Sequence, residues 1–194
     1  MARAKEFDTR KALATAMKVF WERGYENTSL EILLAEMGIA KQSLYDTFGD
    51  KRTLYMKALN YYREETQAEM RKTFESAPTV KDGFSRILRS IVAQSKEQHA
   101  RGCLLLSANM ERASNDVEIA ELLQRNHSEV EAIFAEALHR AKDNGELSAD
   151  QEPLAMARFF IATVQGMRAL ARLRSDRRAL KQIASIALSA FNTI

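Results

Sequence analysis

Residues 35–51, Ala-Glu-Met-Gly-Ile-Ala-Lys-Gln-Ser-Leu-Tyr-Asp-Thr-Phe-Gly-Asp-Lys, constrain the chain more than any other segment. Gly38 stands where one helix must stop and the backbone must turn left-handed, which glycine does at little cost. Ile39 and Leu44 are spaced to face inward, whereas Lys41, Gln42, Ser43, Tyr45 and Thr47 face out. The segment reads as the turn and second helix of a helix-turn-helix, followed at once by the start of another helix. A short helix with an apolar back and a hydrogen-bonding front fits the major groove of B-DNA. The expectation is a DNA-binding chain whose remaining residues regulate that binding.

The rest of the sequence points to an all-helical protein. Its 194 residues include 7 Gly and 2 Pro, so long helices are expected and sheets are not. The length allows one or two domains with a real core. No apolar run reaches the ~18 residues of a membrane span. The N-terminus, Met1 to Asp8, is too polar for a secretory signal. The single cysteine permits no internal disulfide. A cytoplasmic protein with no membrane partner is therefore expected.

Net charge is +3, and residues 1–56 carry Lys and Arg nearly balanced by Asp and Glu. Phosphate affinity must then come from local placement of cations. The same balance argues against a sequence-nonspecific DNA-organising protein. Enzyme chemistry has no foothold, and no cofactor or metal is expected. His99, His127 and His139 lack metal-ligand spacing, and no nucleophile elbow, phosphate loop or dinucleotide fingerprint occurs. His99 and Cys103 are four residues apart, but Gly102 breaks the helix that would pair them.

About nine helices are predicted. The first spans Thr9 to Arg23, capped by Asp8 or Thr9 and stopped by Gly24. Phe20, Trp21 and Phe48 belong to the small core of this region. Thr28-Ser-Leu-Glu31 has the form of a capping box opening the second helix. The third runs from Lys41 to Phe48, and Asp50 caps a long fourth reaching about Glu75. After the loop Ser76-Ala-Pro-Thr-Val, the fifth carries Phe84, Ile87, Leu88, Ile91 and Val92 on one stripe. The pattern breaks at His99-Ala-Arg-Gly102, and a short sixth helix starts near Cys103. Asn115 or Asp116 opens the seventh, which Asn144-Gly145 ends. Asp150, with Pro153 in the first turn, opens the eighth. Ser175-Asp176 separates it from the ninth, which is apolar over more than one stripe. Such a helix buries against two partners: its own domain and a second subunit, or two sides of a monomer core.

The order of parts, with Ala16, Phe20, Gly24-Tyr25, Thr28, Ile32, Gly38-Ile39, Leu44-Tyr45, Phe48, Lys51 and Leu54, resembles the tetracycline-repressor (TetR/AcrR) family of bacterial transcription regulators. The resemblance is carried by residues 1–55; the remainder matches in helix number and length. It implies an N-terminal three-helix DNA-binding domain (1–55) and a helical effector-binding and dimerisation domain (56–194). It also implies a homodimer that reads a palindromic double-stranded operator, and release of that DNA by a small-molecule effector. The last two helices would pair with their mates in a four-helix bundle.

Site residues follow position by position. Thr28 would cap the second helix and bring its backbone N–H groups to a phosphate. Lys41 would meet guanine or only phosphate, and Gln42 adenine; Ser43 opens the same helix. Tyr45 and Lys51 match phosphate-binding positions, and Thr47 faces a thymine methyl or a phosphate. Ala40 departs from the usual Ser or Thr, which puts operator affinity in doubt rather than the fold. Phe84, Ile87, Cys103, Met110, Phe134, Phe160 and Met167 line the expected effector pocket, or else are core. A lining rich in Phe and Met would favour an apolar or aromatic effector. Phe159, Val164, Ile183, Ala187 and Phe191 form the expected dimer interface. Cys103, beside Arg101 and Gly102, is alternatively an oxidant- or electrophile-sensing thiol, or a small buried apolar residue. Arg168 to Lys181 holds six cations against Asp176 and would bind an anionic effector or a second DNA segment, or form a solvated turn.

Overall fold

The computed structural model describes residues 7–191. Met1 to Glu6, on which most of the signal-sequence reading rests, lie outside the described residues. The described residues form helices and no strand: α1 (Thr9–Arg23), α2 (Leu30–Met37), α3 (Lys41–Phe48), α4 (Lys51–Ser76), α5 (Val80–Ala93), α6 (Lys96–Arg101), α7 (Leu104–Arg112), α8 (Val117–Asp143), α9 (Pro153–Leu173) and α10 (Arg177–Ser189). None of these helices is long and apolar enough to cross a membrane.

The starts of α6 and α9 differ from the sequence reading. Residues 99–101 were expected to be irregular but belong to α6. There Ser95 Oγ accepts from the Gln98 N–H at 3.2 Å, and the Gln98 side chain accepts from the Ser95 N–H at 2.8 Å. This reciprocal cap satisfies two otherwise orphaned donors and starts a helix of only six residues. His99 is buried within it. Its Nε2–H donates to the Ile91 carbonyl at 2.7 Å, which leaves Nδ1 facing the Ser175 hydroxyl at 2.7 Å. Further on, α9 begins after Glu152, not at Asp150, and Glu152 gives no side-chain cap bond. Pro153 at the first helical position needs no partner for an N–H it lacks.

The chain divides into two compact units that do not coincide with a cut at residue 55. The first runs to Glu65 and includes Cys103–Leu122; the second comprises Thr66–Gly102 and Leu123 onward. In the first, α1 packs on α2. Phe20, Leu33, Leu44, Phe48, Leu54, Tyr55, Leu59 and, from α7 and α8, Leu104, Ala108 and Ile119 are buried there. Trp21 meets the Tyr62 ring edge-on at 5.0 Å.

In the second unit, α10 packs on α5 and α9, and α6 packs on α9. Its core is aromatic: Phe84 lies 4.1 Å from Phe160, 4.9 Å from Phe74 and 5.0 Å from Phe134 between ring centroids. Gly83 permits this approach, since a Cβ there would stand 2.5 Å from Cδ1 of Phe74.

Candidate nucleic-acid interface

The turn before the recognition helix is built as the sequence demands. Gly38 is left-handed (φ 65°, ψ 33°), and its N–H donates to the Leu34 carbonyl at 3.0 Å. Only a residue without a Cβ adopts this turn cheaply. α3 then starts at Lys41 behind Ala40, which supplies no side-chain cap. Leu44 and Phe48 are buried and hold α3 to the unit's core. That fixes the opposite side outward. Lys41 and Gln42 are exposed, Tyr45 is 44% exposed, and Ser43 and Thr47 are half-buried.

Gln42 is partly committed already, its Nε2 donating to Asp46 Oδ1 at 2.8 Å. That bond orients the amide and competes with base contact. Sequence spacing did not reveal Lys57, whose Nζ donates to the Thr47 and Phe48 carbonyls at 3.2 Å each. It satisfies orphan acceptors at the C-terminus of α3 and favours the helix dipole there.

The structure corrects the role of Thr28. Its side chain is fully buried, and its hydroxyl donates to the Gly24 carbonyl at 2.6 Å. Ser29 is the N-cap of α2, accepting from the Ile32 N–H at 3.3 Å. The expected Thr28–Glu31 box is therefore absent. A carbonyl four residues back captures the first hydroxyl and leaves the exposed second one to cap. Glu31 stays in the first turn, its carboxyl held below the usual range by its own backbone N–H and by Ser29.

At the start of α4, Asp50 accepts from the Thr53 N–H at 2.7 Å, and this bond lowers its carboxyl below the ordinary range. Lys51 follows, half-buried, with Nζ 4.3 Å from the centroid of the Tyr25 ring. The Arg112 guanidinium lies 4.6 Å from the same ring. Burial raises the Tyr25 phenol above its usual range.

Next to Lys51, Arg52 forks onto Asp116 with bonds of 2.9 and 2.8 Å, and reaches Glu118 at 3.0 Å. The Asp116 side chain is 6% exposed and also accepts from the Ile119 N–H at the start of α8. The Arg52 fork lowers its carboxyl. Arg112 pairs with Glu26 at 2.6 Å. Asp116, just ahead of α8, and Glu118 in its first turn thus brace the first turn of α4, which carries Lys51.

The expected effector residues do not form one lining. Phe84, Phe134, Phe160 and Met167 are buried, and the three rings pack on one another. Ile87 is buried beneath a groove of the second unit. Met110 is 77% exposed and belongs, like Cys103, to the first unit. Cys103 is the half-buried N-cap of α7, and the Tyr62 hydroxyl donates to its Sγ at 3.8 Å. Among described residues, no cluster of three or more His, Cys, Asp or Glu could hold a metal ion.

The dimer residues need a similar correction. Val164 and Ala187 are buried in their own unit, Ile183 packs against the same core, and Phe191 lies 5.2 Å from Phe160. Phe159 alone of the five is exposed, alongside Leu154, Leu170 and Leu173 on α9 and Ile186 on α10.

Comparison with known proteins agrees with this geometry. Residues 12–57 match the model for bacterial regulatory proteins of the tetR family, and residues 84–187 match that for the tetracyclin repressor-like C-terminal domain. The chain is 35% identical to the uncharacterised HTH-type transcriptional regulator YezE of Bacillus subtilis (strain 168), over 97% of this chain and 98% of that one. It is 31% identical to the HTH-type transcriptional repressor ComR of Escherichia coli (strain K12), over 96% and 90%. A cysteine-substituted TetR-family regulator CifR, solved with 26-bp double-strand operator DNA, superposes with a TM-score of 0.84 at 32% identity, over 97% and 99%. A turn at Gly38, an outward recognition face on α3 and full-length relatives of this kind lead to one conclusion: the chain belongs to the TetR family and is a DNA-binding transcription regulator.

Proposed function

We propose that the protein is a cytoplasmic homodimeric repressor that binds a palindromic operator and is released from it by a small-molecule effector. The observation that carries this reading is α3, an eight-residue helix with Leu44 and Phe48 buried behind it and Lys41, Gln42 and Tyr45 outward. In this reading Lys41 and Gln42 reach base edges, Ser43 and Thr47 sit at the groove wall, and Tyr45 and Lys51 bind phosphate. Ser29 takes the place expected of Thr28 at the N-terminus of α2, where free N–H groups favour an anion.

Two such helices read successive major grooves about 34–36 Å apart when the protein is a dimer. Exposed Phe159, Leu170, Leu173 and Ile186 on α9 and α10 supply the apolar surface that a second copy would cover. A relative named as a repressor and a CifR structure with operator DNA support the operator reading. Ligand binding is favoured over Cys103 chemistry as the trigger, because the thiol is half-buried and engaged by Tyr62.

The test is a titration of operator DNA carrying single base substitutions with wild-type protein, Gln42→Ala and Lys41→Ala. Loss of discrimination at one symmetric pair of base pairs, by about 1–3 kcal/mol, is expected for a base-reading residue. Uniform weakening across all sequences would remove that residue from base recognition.

A further inference from the structure

We infer that the effector is a small organic anion, bound in a groove of the second unit by Arg168 and Arg86. This inference rests on the reading of the chain as an effector-responsive repressor and names its ligand class. The groove measures about 350 Å³ and is formed by the later turns of α4 with α5 and α9. That volume lies at the small end of ligand pockets, so the ligand is compact.

Its chemistry is uneven in a way that suits an anion with an apolar body. Met70 and Ile87 contribute apolar surface, whereas Lys72, Arg86 and Arg168 bring three cations against the carboxylate of Glu69. Arg168 is half-buried and makes no hydrogen bond or ion pair with any described residue. A guanidinium presents five N–H donors in a planar fork matched to carboxylate. None of its nitrogens is buried without a partner, so the fork is open to a ligand, and a bound carboxylate would accept two charge-assisted hydrogen bonds from it.

Arg86 is held for the same task. Its Nη1 donates to the Ser76 carbonyl at 3.2 Å and to the Ser76 hydroxyl at 3.1 Å. Those bonds anchor one edge of the fork and leave other donors available. The apolar alternative is occupied by protein, since Phe84, Phe134 and Phe160 pack ring on ring in the core. A second groove near Phe74 sets the single cation Arg140 against two carboxylates, Glu75 and Glu146, so it is net negative and does not suit an anion. Glu146 there already accepts from the Val80 N–H at 2.7 Å.

The groove also sits where a ligand can act. Its α4 residues run from Thr66 to Ser76, and the same helix begins at Lys51. A ligand that prefers one position of α4 shifts the population toward it.

The experiment uses the intact protein with hexanoate, octanoate, benzoate and phenylacetate, each beside its primary amide. Binding is read by calorimetry and operator release by fluorescence polarisation. At least one carboxylate is expected to bind about tenfold or more tighter than its amide and to release operator DNA. Arg168→Gln is expected to remove that difference, and Arg168→Lys to restore part of it, at unchanged melting temperature. Equal binding of acid and amide, unaltered binding to Arg168→Gln, or no carboxylate binding at about 1 mM would overturn the inference. Operator affinity without ligand separates the two readings. Intact operator binding with no carboxylate response defeats this inference alone, whereas loss of operator specificity defeats the repressor reading beneath it.

Discussion

At Thr28 and Ser29, one position separates a buried structural hydroxyl from an exposed helix cap. Thr28 donates to Gly24 inside the first unit, and Ser29 caps α2. Thr28→Val should cost about 1–2 kcal/mol in urea unfolding, because it leaves a carbonyl unpaired. It should leave the salt dependence of operator binding unchanged, whereas a phosphate ligand would alter it. Ala40 supplies the converse case. Ala40→Ser adds the missing cap hydroxyl ahead of α3 and should stabilise the protein by about 0.5–1 kcal/mol, with tighter operator binding in the same titration. Lys51→Gln should reduce the slope of log affinity against log salt by about one unit. The sequence showed hydroxyls at both 28 and 29 but not which one turns inward, since the acceptor is a backbone carbonyl exposed only once Gly24 ends α1.

At the scale of elements, helices with strong punctuation were legible. Asp8 and Gly24 bound α1, Gly38 and Gly49 flank the region of α3, and Asp176 opens α10, each by a local backbone requirement. α6 was missed because six residues carry too little periodicity, and its Ser95–Gln98 cap outweighs the break at Gly102. Pairing between distant elements was not legible at all. Arg52 and Asp116 stand 64 residues apart, and no spacing rule connects them. Asp116→Asn weakens both the fork and the α8 cap. It should lower stability by roughly 1 kcal/mol, a value reduced because Arg52 is partly in water. The same group predicts an acid limit. Its native carboxyl titrates below its unfolded value of about 3.9, so its contribution is present above that pH and is lost as pH falls through the lowered native value. Urea midpoints of wild type and Asp116→Asn should therefore converge on acidification; a constant gap down to strong acid would refute the assignment.

For the whole molecule, burial decides what periodicity could not. Val164 and Ala187 satisfy their own unit's core, whereas Leu154, Phe159, Leu170 and Leu173 on α9 and Ile186 on α10 are exposed. On the proposed homodimer reading, Leu173→Glu with Ile186→Glu should give monomers in sedimentation velocity where wild type gives dimers, and should weaken operator binding. An unchanged dimer would move the interface elsewhere. The pocket was illegible for the same reason, since Phe at helical spacing serves a filled core as well as a cavity wall. What the sequence did reveal was the recognition module, because its turn and its inward residues are local requirements. The central claim is that this module reads a specific operator. It is tested most directly by fluorescence polarisation with DNA upstream of the protein's own coding sequence against a scrambled duplex, at two salt concentrations. The account predicts tight binding to the upstream DNA that persists near physiological salt while the scrambled duplex falls away. Equal binding to both, lost together as salt rises, would contradict it.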